Sequence, residues 1–507
     1  STLTYQQLDR RANQFAHALH GLGVRPGDRV MIVMPNMPQM IIAYYATLKI
    51  GGVVVLPNPD AKAAQIVEQV EETGAKVLVT LKDFAGLANK VQEENDVKVV
   101  LANIRDVVSG RIYKELLKRW HVAGFGEGET PWVDEGQTME ALMLDAPQTR
   151  PDVEVEGDAL ANILFTSGTT DKPKGVCLTH TNLVANSLQT RHWIPDVRYG
   201  KEIFLSVLPL THSYGMTTAM NIPIVIGATI VLLPVFEIQQ VLDHIKEYKP
   251  SVFPGVPSIY AAINHAPNVR EYGLNSIKAC ISGAAPLPVE VQEAFQKLTR
   301  GRLVEGYGLT EAAPVTHANP LRGDAKTGSI GIPIPNTDAK IVDLVRGHDL
   351  PPGQIGELLV RGPQVMKGYW QAEGKSDPDT SFTDDWLHTG DVAVMDADGF
   401  FKIISRKRDT IMAGEFSVYP RDIEEVLYEN SKVLEVAVVG VTRKGWLGSK
   451  VKAFVVPRPG TTLSEEELME LCRKRLDEYA VPWEIEFRET LPKSFVGKVL
   501  RRMLVEE

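Results

Sequence analysis

At 507 residues the chain has room for about three structural units, and with 44% hydrophobic and 23% charged residues it has ordinary material for sizeable cores. A net charge of −10 and a pI near 5.7 repel a polyanion, which argues against nucleic acid as the main partner. Three distant cysteines and eleven scattered histidines offer neither a disulfide framework nor paired metal-ligand spacing, and they fit a reducing, cytoplasmic setting.

Thr4 followed by Gln7 predicts a capping box, and Tyr5, Leu8, Ala12, Phe15 and Leu19 line one face of the helix that Gly21 ends. The start is therefore unlike a signal peptide. Strands are expected over 28–34, 53–56 and 76–80, with helices over 37–50 and through 66–72 between them. Strands resume over 159–165, 203–207, 229–233 and 251–254, and this alternation implies a mainly parallel α/β sheet covered on both faces. The longest oily run, 222–236, is interrupted by Pro223, Gly227 and Pro234 and is too short to span a bilayer. Peripheral membrane contact stays open. From 328 to 359 short β-rich pieces between Gly and Pro turns, 339–342 and 356–360 among them, suggest a small antiparallel subdomain. The last hundred residues read separately: a strand over 400–404, a charged run over 405–410, a helix over 422–428, strands over 436–441 and 450–456, and a helix over 464–476. Ser464 and Glu467 make a second capping-box match there. A domain boundary is placed near Ser405.

The stretch 164–176, LFTSGTTDKPKGV, carries the strongest chemical signal. Gly168 and Gly175 allow a close turn, Thr166, Ser167, Thr169 and Thr170 add hydroxyls, and Lys172 and Lys174 add charge, a set suited to nucleotide phosphates. It lacks the GK[ST] ending of a Walker A loop, and an ordinary surface loop has similar composition. In EGYGLTE (305–311), Tyr307 suits stacking on a base, and Thr310 with Glu311 suits magnesium bound to phosphates. A strand end and helix cap would look the same. The small residues of SGAAP (282–286) admit a flat ligand or simply a packed turn. In LHTGD (387–391), Asp391 could accept both hydroxyls of a ribose or cap its own turn. Arg406, Arg408 and Asp409 read either as a site or as a solvated run, and Lys498 after Gly497 either as a mobile catalytic cation or as a frayed end.

Jointly, TSGTTDKPKG at 166–175, YGLTE at 307–311, HTGD at 388–391, RKRD at 406–409 and GK at 497–498 resemble the adenylate-forming enzymes. That family includes acyl-CoA synthetases, peptide-synthetase adenylation domains and luciferases. PLTHSYGM at 209–216, FPGVPSIY at 253–260 and ISGAAPLP at 281–288 are most similar to medium- and long-chain fatty-acid CoA ligases. The resemblance implies an α/β fold. Its large N-terminal domain, 1–404, is built of layered α/β subdomains plus a small β-barrel-like subdomain, and a small mobile α+β domain, 405–507, follows. It implies ATP, Mg2+ and coenzyme A as partners of a fatty acid, and it is compatible with a homodimer.

In that resemblance Thr166, Ser167, Gly168, Thr169, Thr170 and Lys174 grip the β- and γ-phosphates, and Glu311, beside Thr310, binds magnesium. Asp391 and Arg406 hold ribose, while Tyr307 and the strip Gly283, Ala284, Ala285 sandwich adenine. Lys498 neutralises charge building between carboxylate and α-phosphate, His212 stands beside the acyl carbonyl, and Arg408 is the hinge. Apolar residues around Tyr214, Met216 and Met220 suit an acyl pocket or plain core packing. Three departures stand out: Asp171 replaces a glycine, Glu415 and Ser417 replace a glycine and an asparagine beside the expected pantetheine tunnel, and 442–450 lacks the acidic residues many relatives carry. The departures bear on the CoA step and keep in view an acyl-AMP-forming enzyme that serves a carrier protein or has a weak CoA half-reaction. A non-catalytic acyl- or nucleotide-binding module is a separate alternative, against which the retained Lys174, Glu311, Asp391, Arg406 and Lys498 weigh.

Overall fold

The computed structural model describes residues 2–104, 110–125, 137–166, 173–371, 376–377, 382–413, 416–442, 449–493 and 499–505. Two compact units make up the chain. One comprises Ser1–Ala325, Pro333–Thr337 and Gly362–Phe382, and the other Lys326–Ile332, Asp338–Arg361 and Thr383–Glu507.

In the first unit Thr4 caps the helix Tyr5–Gly21: its hydroxyl accepts from the Gln7 amide at 3.2 Å, and Gln7 Oε1 accepts from the Thr4 amide at 2.9 Å. Of the predicted face Ala12, Phe15 and Leu19 are buried, Leu8 is half-buried and Tyr5 is exposed. Leu160–Phe165, Val53–Leu56, Arg29–Val33, Val77–Leu81 and Lys98–Ala102 lie side by side in that order, all parallel. Their continuous Val, Ile and Leu runs suit strands buried on both faces. Beyond Leu160–Phe165 the sheet turns antiparallel, through Gly175–Thr179, Gly368–Trp370 and Ser376–Asp377.

A further layer pairs Ala279–Ser282 with Arg302–Gly308 in parallel and adds Val315–Ala318 antiparallel, while Ile203–Ser206 runs beside Thr229–Leu232. The strand expected over 251–254 is reduced to bridges at Val252 with Phe204 and Ala279. Pro250 and Pro254 bracket it, and a residue without an N–H cannot extend a ladder. Phe204, Ile222, Val252, Ile281 and Val304 pack one core there.

The second unit opens with an antiparallel sheet of Asp338–Val342, Ile355–Arg361, Trp386–Met395 and Phe401–Arg406. Register shifts at Glu357/Leu359 and Val392/Ala393 bend these strands, and the sheet curls into a half-barrel. The α+β part that follows pairs Val433–Val441 with Lys450–Pro457 antiparallel and adds Glu484–Phe487 parallel. Alternate residues serve its two faces. Val436, Val438, Val451 and Ala453 pack under the helices Pro420–Tyr428 and Glu465–Arg475, whereas Ala437, Val439 and Phe454 meet Leu491 and Leu504. Among the described residues no helix is long and apolar enough to cross a membrane.

Candidate active site

The glycine-rich loop closes a hairpin. Leu160–Phe165 pairs antiparallel with Gly175–Thr179, with Phe165 opposite Gly175, so residues 166 and 174 flank paired strand ends. Its base is pinched: the Thr166 amide donates to the Lys174 carbonyl at 3.0 Å, and the Lys174 amide to Thr166 Oγ1 at 3.4 Å. Gly175 lies in a strand, and a Cβ there would come within 2.9 Å of Ile163 Cγ2 and 3.1 Å of Trp370 Cβ. It serves strand packing rather than the turn. Ser167, Gly168, Thr169, Thr170 and Asp171 lie outside the described residues.

Strand Arg302–Gly308 carries the half-buried Tyr307 to its end, and Thr310–Ala312 form one 3-10 turn. The turn folds back tightly. The Leu309 amide reaches the Pro314 carbonyl at 3.0 Å, Ala313 is left-handed at φ 63, and a Cβ on Gly308 would strike Pro314. Helix His180–Trp193 fixes the exit: Asn186 donates to the Val315 carbonyl at 2.7 Å and accepts its amide at 3.0 Å. Glu311 accepts the Tyr369 hydroxyl on Oε1 at 2.9 Å, and its carbonyl accepts the Met366 amide at 2.8 Å. Lys174 Nζ stands 4.6 Å over the Tyr369 ring.

His212 caps the helix Ser213–Met216. Its Nδ1 accepts the Tyr214 amide at 3.1 Å, which assigns the ring proton to Nε2. That helix runs into a π-helical turn, Thr217–Asn221, where the wider winding leaves carbonyls for side chains. Ser206 donates to the Ala219 carbonyl at 2.8 Å and Thr217 to the Ala313 carbonyl at 2.7 Å, while Ser213 and Thr310 hydroxyls meet at 3.4 Å. Tyr214 is buried, and its hydroxyl donates to the Ile281 carbonyl at 2.6 Å. Burial pushes that phenol far above its ordinary pKa, so it stays a neutral donor. A Cβ on Gly283 would lie 3.1 Å from the Tyr214 ring, so the strip keeps a flat surface; Ala284 is exposed and left-handed at φ 67.

A chain of contacts thus gathers Lys174, Glu311, Thr310, His212, Tyr214 and Gly283 of the expected residues of this unit, with Tyr369 and Ser213 as links. Tyr307 sits near the end of the strand that leads into the Thr310–Ala312 turn, edge-on to buried His317 at 5.9 Å. A carboxylate held by one hydroxyl, a lysine resting on a ring and a glycine where a Cβ would crowd the Tyr214 ring are chemistry that suits a metal-bound nucleotide. Tyr369 and Asn186 escaped the sequence reading. The Tyr369–Glu311 bond spans 58 residues and the Asn186–Val315 bonds span 129, which no local pattern signals.

In the second unit Asp391 and Arg406 face each other across two strands, with Arg406 Nε 2.8 Å from the Asp391 carboxylate. Thr389 Oγ1 accepts the Asp391 amide at 3.1 Å. Lys407 pairs with buried Glu357 at 2.8 Å, and His388 Nδ1 lies 3.3 Å from the same carboxylate. The charged run is therefore ordered by partners rather than merely solvated. Arg501 grips Glu424 at 2.6 and 2.8 Å and approaches Asp409 at 3.6 Å. Lys498 and Glu415 lie outside the described residues; Ser417 Oγ donates to Met412 Sδ at 3.7 Å.

Residues 1–370 match the family described as AMP-binding enzyme, and 422–498 match the AMP-binding enzyme C-terminal domain. The chain is 41% identical to a long-chain-fatty-acid–CoA ligase of Bacillus subtilis, over all of this chain and 90% of that protein. It is 32% identical to 4-coumarate–CoA ligase 1 of Solanum tuberosum, over 99% and 88%. Its fold matches ATP-bound MatB of Rhodopseudomonas palustris with a TM-score of 0.86 at 28% identity, over 99% of this chain and 93% of that one. O-succinylbenzoate coenzyme A synthetase of B. subtilis, complexed with ATP and magnesium, matches at 0.79 and 26% identity, over 99% and 94%. With both parts of the family present in order and relatives matched over about nine-tenths of their own length, the chain belongs to the AMP-binding enzymes, within the adenylate-forming acyl-CoA ligase superfamily, and is an AMP-forming acid–thiol ligase.

Proposed function

We propose that the protein activates a medium- or long-chain fatty acid with ATP and transfers the acyl group to coenzyme A. The observation that carries this reading is the contact chain from Lys174 through Tyr369 and Glu311 to His212 and Gly283. The substrate carboxylate attacks the α-phosphorus and pyrophosphate leaves; the thiolate of coenzyme A then attacks the acyl carbonyl and AMP leaves. An oxide ion is a hopeless leaving group from a carboxylate, whereas AMP is a good one, so the first step makes the second feasible.

In this reading Lys174 and the hydroxyls of Thr166, Ser167, Thr169 and Thr170 hold the terminal phosphates, and Glu311 offers its carboxylate to magnesium. A magnesium ion there supplies charge neutralisation of the phosphate oxygens. Tyr307 and Gly283–Ala285 bracket adenine, while Asp391 and Arg406 take the ribose hydroxyls. His212 offers Nε2–H to the acyl carbonyl, and Lys498 meets the charge growing at the α-phosphate. The domain boundary lies near Ser405, with Arg408 as its hinge.

The fatty-acid reading rests on the long-chain relatives; the apolar cavity of about 20 Å³ beside the π-helical turn has room for about one water and is too small for an acyl chain. Ile194, Phe204, Ile222, Ile281 and Leu321 are among its lining residues. The other partners implied, a membrane surface and a second copy, are checked by vesicle flotation and light scattering. The test of function is pyrophosphate release, with and without coenzyme A, across acids from acetate to palmitate and several aryl acids, with products read by mass spectrometry. Acyl-CoA from long acids alone supports the proposal, and turnover confined to aryl or short acids rejects the substrate class. A second reading, adenylate formation with a weak thiol step, is favoured by Glu415 and Ser417. It would appear as acyl-AMP retained in the presence of coenzyme A.

A further inference from the structure

Tyr369 belongs to no motif that suggested the site, yet it touches both Lys174 and Glu311. Three separate constraints deliver it there. Its strand, Gly368–Trp370, pairs with Gly175–Thr179 so that Tyr369 stands opposite Val176, two residues past Lys174. The Met366 amide ties the preceding turn to the Glu311 carbonyl at 2.8 Å. Asn182 Nδ2 donates to the Pro363 and Val365 carbonyls, each at 2.8 Å, and so fixes the start of that segment.

Lys174 and Glu311 carry opposite charges, and among the described residues no ion pair joins them. A direct pair would occupy the ammonium that phosphate needs and the carboxylate that a metal needs. The phenol ring stands between these outcomes. Its face attracts the ammonium through the ring quadrupole, and its O–H occupies one lone pair of Oε1, leaving the other acceptor positions of the carboxylate. The ring contact is weak enough for the ammonium to leave for phosphate, whereas the O–H bond orients the carboxylate and leaves its other acceptor positions to the metal.

We propose that Tyr369 is a positioning residue of the nucleotide–metal site, a spacer that holds Lys174 and Glu311 apart until metal-bound nucleotide takes both. The proposal rests on the reading of Glu311 as the magnesium carboxylate.

Tyr369→Phe keeps the ring and removes the hydroxyl; Tyr369→Leu removes both. Calorimetric titration of the full chain with a non-hydrolysable ATP analogue, in Mg2+ and in EDTA, separates the two contacts. For Tyr369→Phe the gain in affinity that Mg2+ confers should fall about ten-fold or more, as expected for one charge-assisted hydrogen bond, with affinity in EDTA unchanged. Pyrophosphate release should then need more Mg2+ while reaching the same plateau. For Tyr369→Leu affinity in EDTA should fall as well, because Lys174 collapses onto Glu311. Equal losses with and without Mg2+ in Tyr369→Phe would reveal mere packing and overturn the proposal, as would a Mg2+ response like that of the natural protein. A natural protein whose nucleotide affinity ignores Mg2+ would overturn the Glu311 reading and this proposal with it.

Discussion

His317 shows how burial sets the chemistry of one residue. It is fully buried behind Tyr307, with Thr316 Oγ1 3.0 Å from its Nδ1, and burial pushes its pKa down from 6.5 to about 3. The folded protein therefore holds a neutral imidazole that the unfolded chain would protonate below about pH 6.5. Stability from this group is full above 6.5 and is lost as pH falls towards 3, at up to about 1.4 kcal/mol per pH unit. His317→Gln should lower stability at pH 8 yet flatten the acid slope by about one proton, read from denaturant midpoints across that window. Parallel slopes would clear His317 of the effect. Lys174, Glu311, His212, Asp391 and Arg406 could all be picked from the sequence because each sits in a short, chemically odd string. Tyr369 could not, since a tyrosine in KGYW looks like any strand aromatic.

Helix His180–Trp193 inverts the usual pattern, which is why periodicity did not reveal it. Asn182, Asn186, Ser187, Gln189 and Thr190 are buried, whereas Val184 is 55% and Leu188 41% exposed. Its buried amides serve as clamps: Asn186 on Val315, Asn182 on Pro363 and Val365, and Gln189 on the Pro335 carbonyl at 2.7 Å. Asn186→Leu would strand both polar groups of Val315 in the interior. The expected cost is on the order of 2 kcal/mol or more in chemical denaturation, with weaker nucleotide binding because the Glu311 turn loses its anchor. A loss below about 0.5 kcal/mol would mean that the clamp is dispensable. Capping chemistry was more legible, with one twist. Ser464 accepts the Glu467 amide at 3.2 Å as expected, but the Glu467 carboxylate turns to Lys432 Nζ at 2.8 Å and Asn430 Nδ2 at 2.8 Å. Half of that capping box was diverted by a stronger, charged partner that local sequence does not contain.

At the scale of the whole molecule, the two half-reactions should part company on Lys498. If it meets charge only in the first step, Lys498→Ala should slow adenylate formation by roughly a hundred-fold or more, as loss of a transition-state charge partner does. Thiolation of supplied acyl-adenylate should be spared, and equal losses in single-turnover assays of both steps would remove the assignment. Glu415 should act the other way round. If it narrows the path of the incoming thiol, Glu415→Gly should raise CoA-dependent turnover with pyrophosphate release in the absence of CoA unaltered. Arg501, three residues beyond Lys498, anchors the segment's far side through Glu424.

By itself the sequence determined the α/β alternation, the antiparallel change of character after 328, the α+β end and the order of the chemical motifs. These are local: they follow from side-chain period, from turn residues, and from rare residue types crowded into a few positions. Only the tertiary structure decided that Gly175 packs a strand, that 251–254 is a pair of bridges rather than a strand, and that the charged run at 406 finds Asp391 and Glu357. It alone also introduced Tyr369 to Lys174 and Glu311. Each of these depends on a partner tens to hundreds of residues away, and the free energy of such a contact exists only once sheets and turns have brought the two ends together.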